Sequence, residues 1–372
     1  MKKIILIVAL TATITSGVAV AKAPENFTYQ AKQVKVGSKT YNVKVCTIDA
    51  TKAPVEITLG LANQRLFRRD DPAKVASFEK AVCAMTGPYH NESGGWSNYL
   101  FDSHYIVDGK PVRIFNGGSN FCATKDGKWL WGRLRFKIMG KVQEKLLPPS
   151  LTDVYVSGVN QPPSASSTTL YTEEWGSIPT TYASTCVVIE KGVVTNVATG
   201  PVKIPKGAAV LMYTGSNRDR CSKAKWPKGY IRKGLHINLY WKAESGNNVD
   251  LNKWRESSII FGGSPTVVKD GKAYWNLAED KSYNTDAMSY NAPRSAFGID
   301  GKGKAFMVTF TDAISIKEEG PVLVQLGVRH AFNLDGGCST FLYFDCSVME
   351  DNCRDLPAII IARQKVVPKL SQ

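Results

Sequence analysis

Five Asp-Gly pairs constrain this chain more than any other feature: Asp108-Gly109, Asp126-Gly127, Asp270-Gly271, Asp300-Gly301 and Asp335-Gly336. Glycine reaches positive φ without a Cβ clash, so each pair suits a tight turn between antiparallel strands. Strand patterns accompany them. Tyr41 to Ile48 alternates with period two, Val187 to Val197 does so around Lys191-Gly192, and Ala305 to Phe310 follows Asp300-Gly-Lys-Gly303. Helix signals are few. Asp70-Asp71-Pro72 opens one, with an Asp to cap, Pro72 in the first turn and an apolar face of Val75, Phe78 and Val82. A second is predicted from Glu318 to His330, its acids at the positive end and Arg329-His330 at the other. Strands do not alternate with helices, so the expected class is α+β, β-rich, with mixed or antiparallel sheets and few short helices.

The chain has 372 residues, 43% hydrophobic and 21% charged, which excludes a fibrous or largely disordered protein. Gln161 to Thr169 reads as a loop inserted within one domain, and no repeat of fixed period is present. At the start, Lys2 and Lys3 precede an apolar run from Ile4 to Leu10, followed by small residues at Ala19, Ala21 and Ala23. That is the pattern of a signal peptide covering 1–21, cut after Ala21. No later stretch reaches about 18 apolar residues, so no membrane span is expected after its removal. The expected location is periplasmic or secreted. Eight cysteines, at 46, 83, 122, 186, 221, 338, 346 and 353, then allow up to four disulfides, with one local bridge among Cys338, Cys346 and Cys353. The four histidines, at 90, 104, 236 and 330, are too scattered for a zinc constellation, and no metal or other cofactor is expected.

The densest candidate site is Ala331 to Phe344, where apolar runs flank Asp335-Gly336-Gly337 and hydroxyls follow at Ser339 and Thr340. Glycines let a ligand approach backbone N–H groups, which suits a phosphate; the same residues also suit a plain hairpin turn. Pro293-Arg294-Ser295 places a guanidinium before an apolar strand, and Arg294 fits phosphate oxygens in pairs. Thr86-Gly87-Pro88-Tyr89 leads into a Gly-rich loop starting at His90, and Gly262-Gly263-Ser264-Pro265 forms another candidate edge. The basic run from Arg218 to Lys233 carries Trp226 and Tyr230, in a chain of net charge +15. Basic residues mixed with aromatics suit nucleic acid, but export points away from it. An envelope surface, an anionic glycan or a solvated loop fits better. Nucleophile-elbow, zincin, P-loop and dinucleotide motifs are all lacking in the sequence.

Taken in order, these motifs resemble the phosphodiester glycosidase family. Its Asn-Leu-Asp-Gly-Gly-Gly-Ser signature is met by Asn333-Leu-Asp-Gly-Gly-Cys-Ser339, with Cys338 at the third glycine. Its Pro-Arg-Thr-Ala-x-Gly stretch is met by Pro293-Arg-Ser-Ala-Phe-Gly298, and its Gly-Gly-x-Pro strand opening by Gly262-Gly-Ser-Pro265. Arg354-Asp-Leu-Pro-Ala-Ile359 is similar to its last strand, and Thr86-Gly87-Pro88-Tyr89 departs from its Asn-Gly-Gly-Phe-like loop. The resemblance implies a lead-in at 22–39, one phosphodiester glycosidase-like domain over 40–368, and hydrolysis of the anomeric C–O bond of a sugar-1-phosphodiester such as an N-acetylglucosamine-1-phosphodiester. Asp335 would serve as base, nucleophile or stabiliser, with Asp300 as second choice. Arg294 and the Gly336–Gly337 backbone would hold the phosphate, helped by Ser339 and Thr340. Asn333, Ser295, Thr86, Gly87, Gly262 and Gly263 would complete the substrate contacts. The alternatives are a non-catalytic binder of anionic envelope glycans on the same fold, and a metal-dependent phosphodiesterase that breaks the P–O bond. Partners beyond a sugar-phosphodiester or anionic glycan, with neither nucleic acid nor membrane among them, are not implied.

Overall fold

The structure, a computed structural model, describes residues 22–90, 99–143, 152–176, 182–221, 231–245, 249–276, 290–351 and 353–365. The expected signal peptide, residues 91–95 of the Gly-rich loop, residues 222–230 of the basic run and residues 366–368 of the expected domain lie outside them. The described strands form four sheets. The first has seven, in the order Phe27–Val36, Lys39–Asp49, Lys304–Ile314, Ala292–Ile299, His330–Asn333, Thr266–Lys269 and Lys272–Ala273. The second has five: Ser347–Glu350, Leu342–Phe344, Cys83–Thr86, Ala358–Gln364 and Val55–Leu61. The third, also of five, runs Lys110–Arg113, Tyr105–Val107, Ser257–Gly263, Ser119–Thr124 and Trp129–Gly132. The fourth has eight: Asp153–Val156, Leu134–Gln143, His236–Ser245, Val193–Thr199, Ser184–Glu190, Ala209–Thr214, Thr168–Tyr171 and Gly158–Val159. Among the described strands only the last two pair in parallel. The class is α+β, β-rich and antiparallel, as the turn chemistry requires.

One core cluster joins all four sheets. It takes Cys46, Ile48 and Met307 from the first, Cys83, Met85 and Ile360 from the second, Phe121 and Phe261 from the third, and Cys186, Val188 and Met212 from the fourth. Phe121, Phe261, Phe297 and Phe332 meet at ring separations of 5.1 to 6.3 Å, mostly edge-on or tilted. Those are favourable aromatic geometries.

Four of the Asp-Gly pairs make the expected hairpins, after Val107, Thr124, Lys269 and Ile299. The fifth does not. Asp335-Gly336 carries the chain from His330–Asn333 in the first sheet, through a 3-10 turn at Gly337–Ser339, to Leu342–Phe344 in the second. The helix Pro72–Phe78 starts as expected, with the Asp71 carboxylate accepting from Ala73 N at 2.8 Å. The helix expected over Glu318–His330 is displaced. It runs Ile316–Gln325, because Ser315 caps it and its N–H donates to Glu318 Oε2 at 3.0 Å. It stops where Gly327, at φ +88°, lets its own N–H and that of Val328 return to the carbonyls of Val324 and Leu323. Arg329 and His330 are therefore released from the helix, and His330 starts a strand.

The local bridge expected among Cys338, Cys346 and Cys353 is present. One disulfide is present, Cys338–Cys353, with Cα atoms 4.9 Å apart. Cys46, Cys83, Cys122 and Cys186 are buried thiols, each on a strand of a different sheet. The Cys83 thiol is pushed well up by burial first and then by its hydrogen bond with the Cys46 thiol. Burial pushes the thiols of Cys122 and Cys186 up to about 12 and about 11, so they behave as small apolar side chains. Cys346 is exposed. The single bridge closes a 15-residue separation. Its loss should cost about 3 kcal/mol, read as matched losses in urea midpoint for the reduced protein and for the Cys338→Ser/Cys353→Ser double variant.

Candidate active site

The crossover between the first two sheets builds the site. Asn333 ends a strand whose neighbour begins at Ala292, so Arg294, Ser295 and Asp335 are brought to one edge. Thr86 ends the facing strand of the second sheet. Its hydroxyl donates to Ser339 O at 2.5 Å and accepts from Phe341 N at 2.8 Å, and Ser295 Oγ donates to it at 3.3 Å. Thr86 and Ser295 are thus buried beneath the turn and commit their hydroxyls to its shape. Gly87 is required by packing: a Cβ there would stand 2.2 Å from Ala358 O. Gly87 O in turn accepts from Asp335 N at 3.3 Å.

Asp335 is the centre. Its Oδ2 accepts from Ser339 Oγ at 2.6 Å and from Arg354 Nη2 at 3.1 Å, and lies 3.3 Å from His90 Nδ1. Its Oδ1 accepts from Gly336 N at 2.9 Å. Burial, the largest influence, pushes the carboxyl upward. The His90 hydrogen bond and charge, Ser339 and Arg354 together outweigh it and hold Asp335 below its ordinary value. Arg354 Nε also donates to Ser339 Oγ at 2.7 Å. Arg354 reaches this position because Cys353, tied to Cys338, also donates its N–H to Cys338 O at 3.0 Å.

Arg294 is 1% exposed. Its Nη2 donates to Tyr290 O at 2.6 Å and its Nε to Ile314 O at 3.4 Å, while the Tyr290 ring covers the guanidinium at 5.0 Å. Among the described residues Nη1 has no hydrogen-bond partner. It lies beside Gly336, 3.5 Å from where a Cβ would stand there. Glu319 is fully buried behind it; burial pushes that carboxyl well up, with Arg294 pulling against. Tyr89, whose hydroxyl accepts from Asn333 Nδ2 at 2.8 Å, is likewise raised by burial and by Asp335. Asn333 Oδ1 and Thr340 Oγ1 are buried with no partner among the described residues. Gly336 and Gly337 form the half-buried rim.

The structure does not bring Asp300 here. It sits past the far end of the strand that Arg294 begins, about 20 Å away at strand rise. Its Oδ1 accepts from the amides of Lys302 and Lys304 at 2.7 and 2.9 Å, so it is a turn residue. Gly262 and Gly263 serve packing: a Cβ on Gly263 would meet the Phe332 ring at 2.3 Å, and one on Gly262 would meet Ser119 O at 2.5 Å. Sequence reasoning missed His90 and Arg354 as site residues. His90 stood only as the start of a Gly-rich loop, and Arg354 only as the approach to a last strand.

Residues 183–363 match the family model described as phosphodiester glycosidase. The resemblance read from the motifs holds over that span, which contains Arg294, Asp335 and Arg354 and leaves out Thr86 and His90. No curated protein matches the chain. Among solved structures, a hypothetical protein from Synechocystis is similar at TM-score 0.74 and 18% identity, covering 92% of this chain and 62% of that one. This chain therefore spans less than two thirds of that protein's length. A Burkholderia pseudomallei protein assigned as exported is similar at TM-score 0.66 and 16% identity, over 87% of this chain and 74% of its own. The zebrafish N-acetylglucosamine-1-phosphodiester alpha-N-acetylglucosaminidase catalytic domain, auto-inhibited by its pro-peptide, gives TM-score 0.46 and 11% identity over 91% and 83%. The first two likenesses show the fold. No described helix is long and apolar enough to cross a membrane.

A depressed carboxyl contributes stability that is present above its unfolded value of 3.8 and lost as pH falls through its lower folded value. Wild-type stability should therefore fall with pH below about 4. The Asp335→Asn variant should be less stable at neutral pH, by about 3–5 kcal/mol for a broken buried ion pair, and should show a shallower acid decline in chemical denaturation.

Proposed function

We propose that the protein is an exported hydrolase that cleaves the anomeric C–O bond of a sugar-1-phosphodiester, of the N-acetylglucosamine-1-phosphodiester kind. The observation that carries the reading is the asymmetry of Asp335. Three groups crowd Oδ2, whereas among the described residues Oδ1 meets only the Gly336 amide. A carboxylate clamped in this way stays ionised and presents one oxygen, either to an oxocarbenium-like carbon or to a water attacking it. Nη1 of Arg294, open among the described residues, lies next to the same glycine and suits the phosphodiester anion. As the bond breaks, the leaving phosphate gains a second negative charge. A fixed cation helps most where such charge develops. Phosphate leaves readily, so the site has less need of a strong acid than an ordinary glycosidase. Ser339 acts in this reading by fixing Asp335 rather than by touching the phosphate, and Thr86 and Ser295 act by fixing the turn. The reading places the whole of 40–368 in one functional domain and the protein in the periplasm or outside the cell. The family match and the likeness to an exported protein support it.

The deciding experiment follows an α-N-acetylglucosamine-1-phosphate methyl diester by phosphorus and proton NMR with disulfide-intact protein. Free sugar and methyl phosphate are expected. Sugar-1-phosphate with methanol would mean P–O cleavage and would overturn the mechanism. Saturation-transfer signals without turnover would favour the glycan-binder reading. Asp335→Asn should lower kcat by at least about a thousandfold, and Arg294→Met should lower kcat/KM on the order of a hundredfold. Asp300→Asn should leave kcat within about twofold, because its carboxylate serves only the distant turn.

A further inference from the structure

Two cysteines from different sheets meet in the core. Cys46 lies on the strand Lys39–Asp49 of the first sheet and Cys83 on Cys83–Thr86 of the second, and both are fully buried. Alternation along each strand sets which way they point. Cys46 and Ile48 belong to the core cluster that joins the sheets, whereas Val43 and Val45 pack on the other side of the first sheet. Cys83 and Met85 belong to the same joining cluster, whereas Ala84 packs on the other side of the second sheet. Their strand neighbours agree. Tyr29 stands directly opposite Cys46, and Phe344 directly opposite Cys83. Directly paired residues share a face, and the Tyr29 and Phe344 rings are 5.9 Å apart. Lys44, on the same face as Cys46, reaches Glu350 Oε2 in the second sheet at 2.6 Å. The strand Lys304–Ile314, which pairs Met307 with Cys46, brings Cα atoms within 8 Å of Cα atoms in Cys83–Thr86. The two sheets therefore close in at this point, and the Cys83 thiol is hydrogen-bonded with that of Cys46.

We propose that Cys46 and Cys83 are a second disulfide site, whose oxidation ties together the two sheets between which the Asp335 turn crosses. The proposal rests on the exported location for its oxidising surroundings and not on the hydrolase reading. The chemistry is thiol–disulfide exchange. One cysteine, as thiolate, attacks the disulfide of an oxidant of the thiol–disulfide oxidoreductase class and displaces one of its sulfurs. The second cysteine attacks the mixed disulfide and displaces the other. Two protons and two electrons leave the pair, and the oxidant departs as two thiols. Burial and the thiol–thiol hydrogen bond leave little thiolate once the sheets have closed. The bond therefore forms while the chain folds, the two sulfurs closing from hydrogen-bond contact to about 2.05 Å. Cys46 and Cys83 are 37 positions apart in the chain, so the bond removes loop freedom from the unfolded state. Both also lie outside the span 183–363 matched by the family model.

Two readouts test this. The full chain is reduced in denaturant, refolded in reduced and oxidised glutathione, alkylated in denaturant and digested without reduction. Mass spectrometry should find Cys46 joined to Cys83 beside the Cys338–Cys353 bridge, and Cys46→Ser should lose the first and keep the second. Refolded protein that carries Cys338–Cys353 but has Cys46 and Cys83 alkylated, or joined to other cysteines, overturns the proposal. Stability gives the second readout. While Cys46 and Cys83 are thiols, reduction opens Cys338–Cys353 alone; once they are joined, it opens two bridges. Reduction should therefore lower the urea midpoint of the refolded wild type about twice as far as that of Cys46→Ser/Cys83→Ser. Equal losses overturn the proposal. If refolding yields both bridges but protein taken from its own cells holds neither, the exported location fails and the disulfide site stands.

Discussion

The burial of one ionised carboxylate organises much of this molecule. Asp335 is 7% exposed and lies where two sheets exchange a strand connection. A charge in such a place is costly unless donors surround it. Those donors come from three separate segments: Ser339 from the following turn, Arg354 from beyond the disulfide, and His90 from the end of another connection. Each must be delivered to within hydrogen-bond distance, and much local architecture does that. Thr86 clamps the turn from below, Gly87 and Gly336 permit close backbone approach, and Cys338–Cys353 fixes the arm that carries Arg354.

The same requirement separates two kinds of residue that look alike as sequence. Arg294 and Arg354 are both arginines beside Gly336 or Asp335. Arg354 neutralises the carboxylate, while Arg294 is held by carbonyls and an aromatic ring, with Nη1 open among the described residues. One is part of the carboxylate's own support and the other is available to an anion. Ser339 and Thr340 divide in a similar way: the first is bonded on both sides within the cluster, and the second is buried without a partner among the described residues.

Much of the fold was legible because its determinants are local. Asp108-Gly109, Asp126-Gly127, Asp270-Gly271 and Asp300-Gly301 make hairpins because two residues suffice to reverse the chain, and Asp71-Pro72 caps a helix within one turn. Asp335-Gly336 shows the limit. Its local chemistry is that of the other four, yet it passes between sheets, because Leu342–Phe344 pairs with Cys83–Thr86, much earlier in the chain, rather than with His330–Asn333. The helix after Ser315 erred in register for a smaller reason: the Gly327 stop is local but was outweighed by basic residues further on.

By itself, the sequence determined the β-rich antiparallel class and most of the turn positions, and it put Asp335 and Arg294 forward as candidates, since these follow from residue type and short spacing. Tertiary structure decided which groups face Asp335. His90 and Arg354 are 264 positions apart in the chain, and strand pairing and one disulfide bring them to it. It also decided that Asp300 has no part in the site. A strand fixes its two ends about 20 Å apart, so a residue next to Arg294 in motif and the residue closing that motif cannot both reach one bound phosphate.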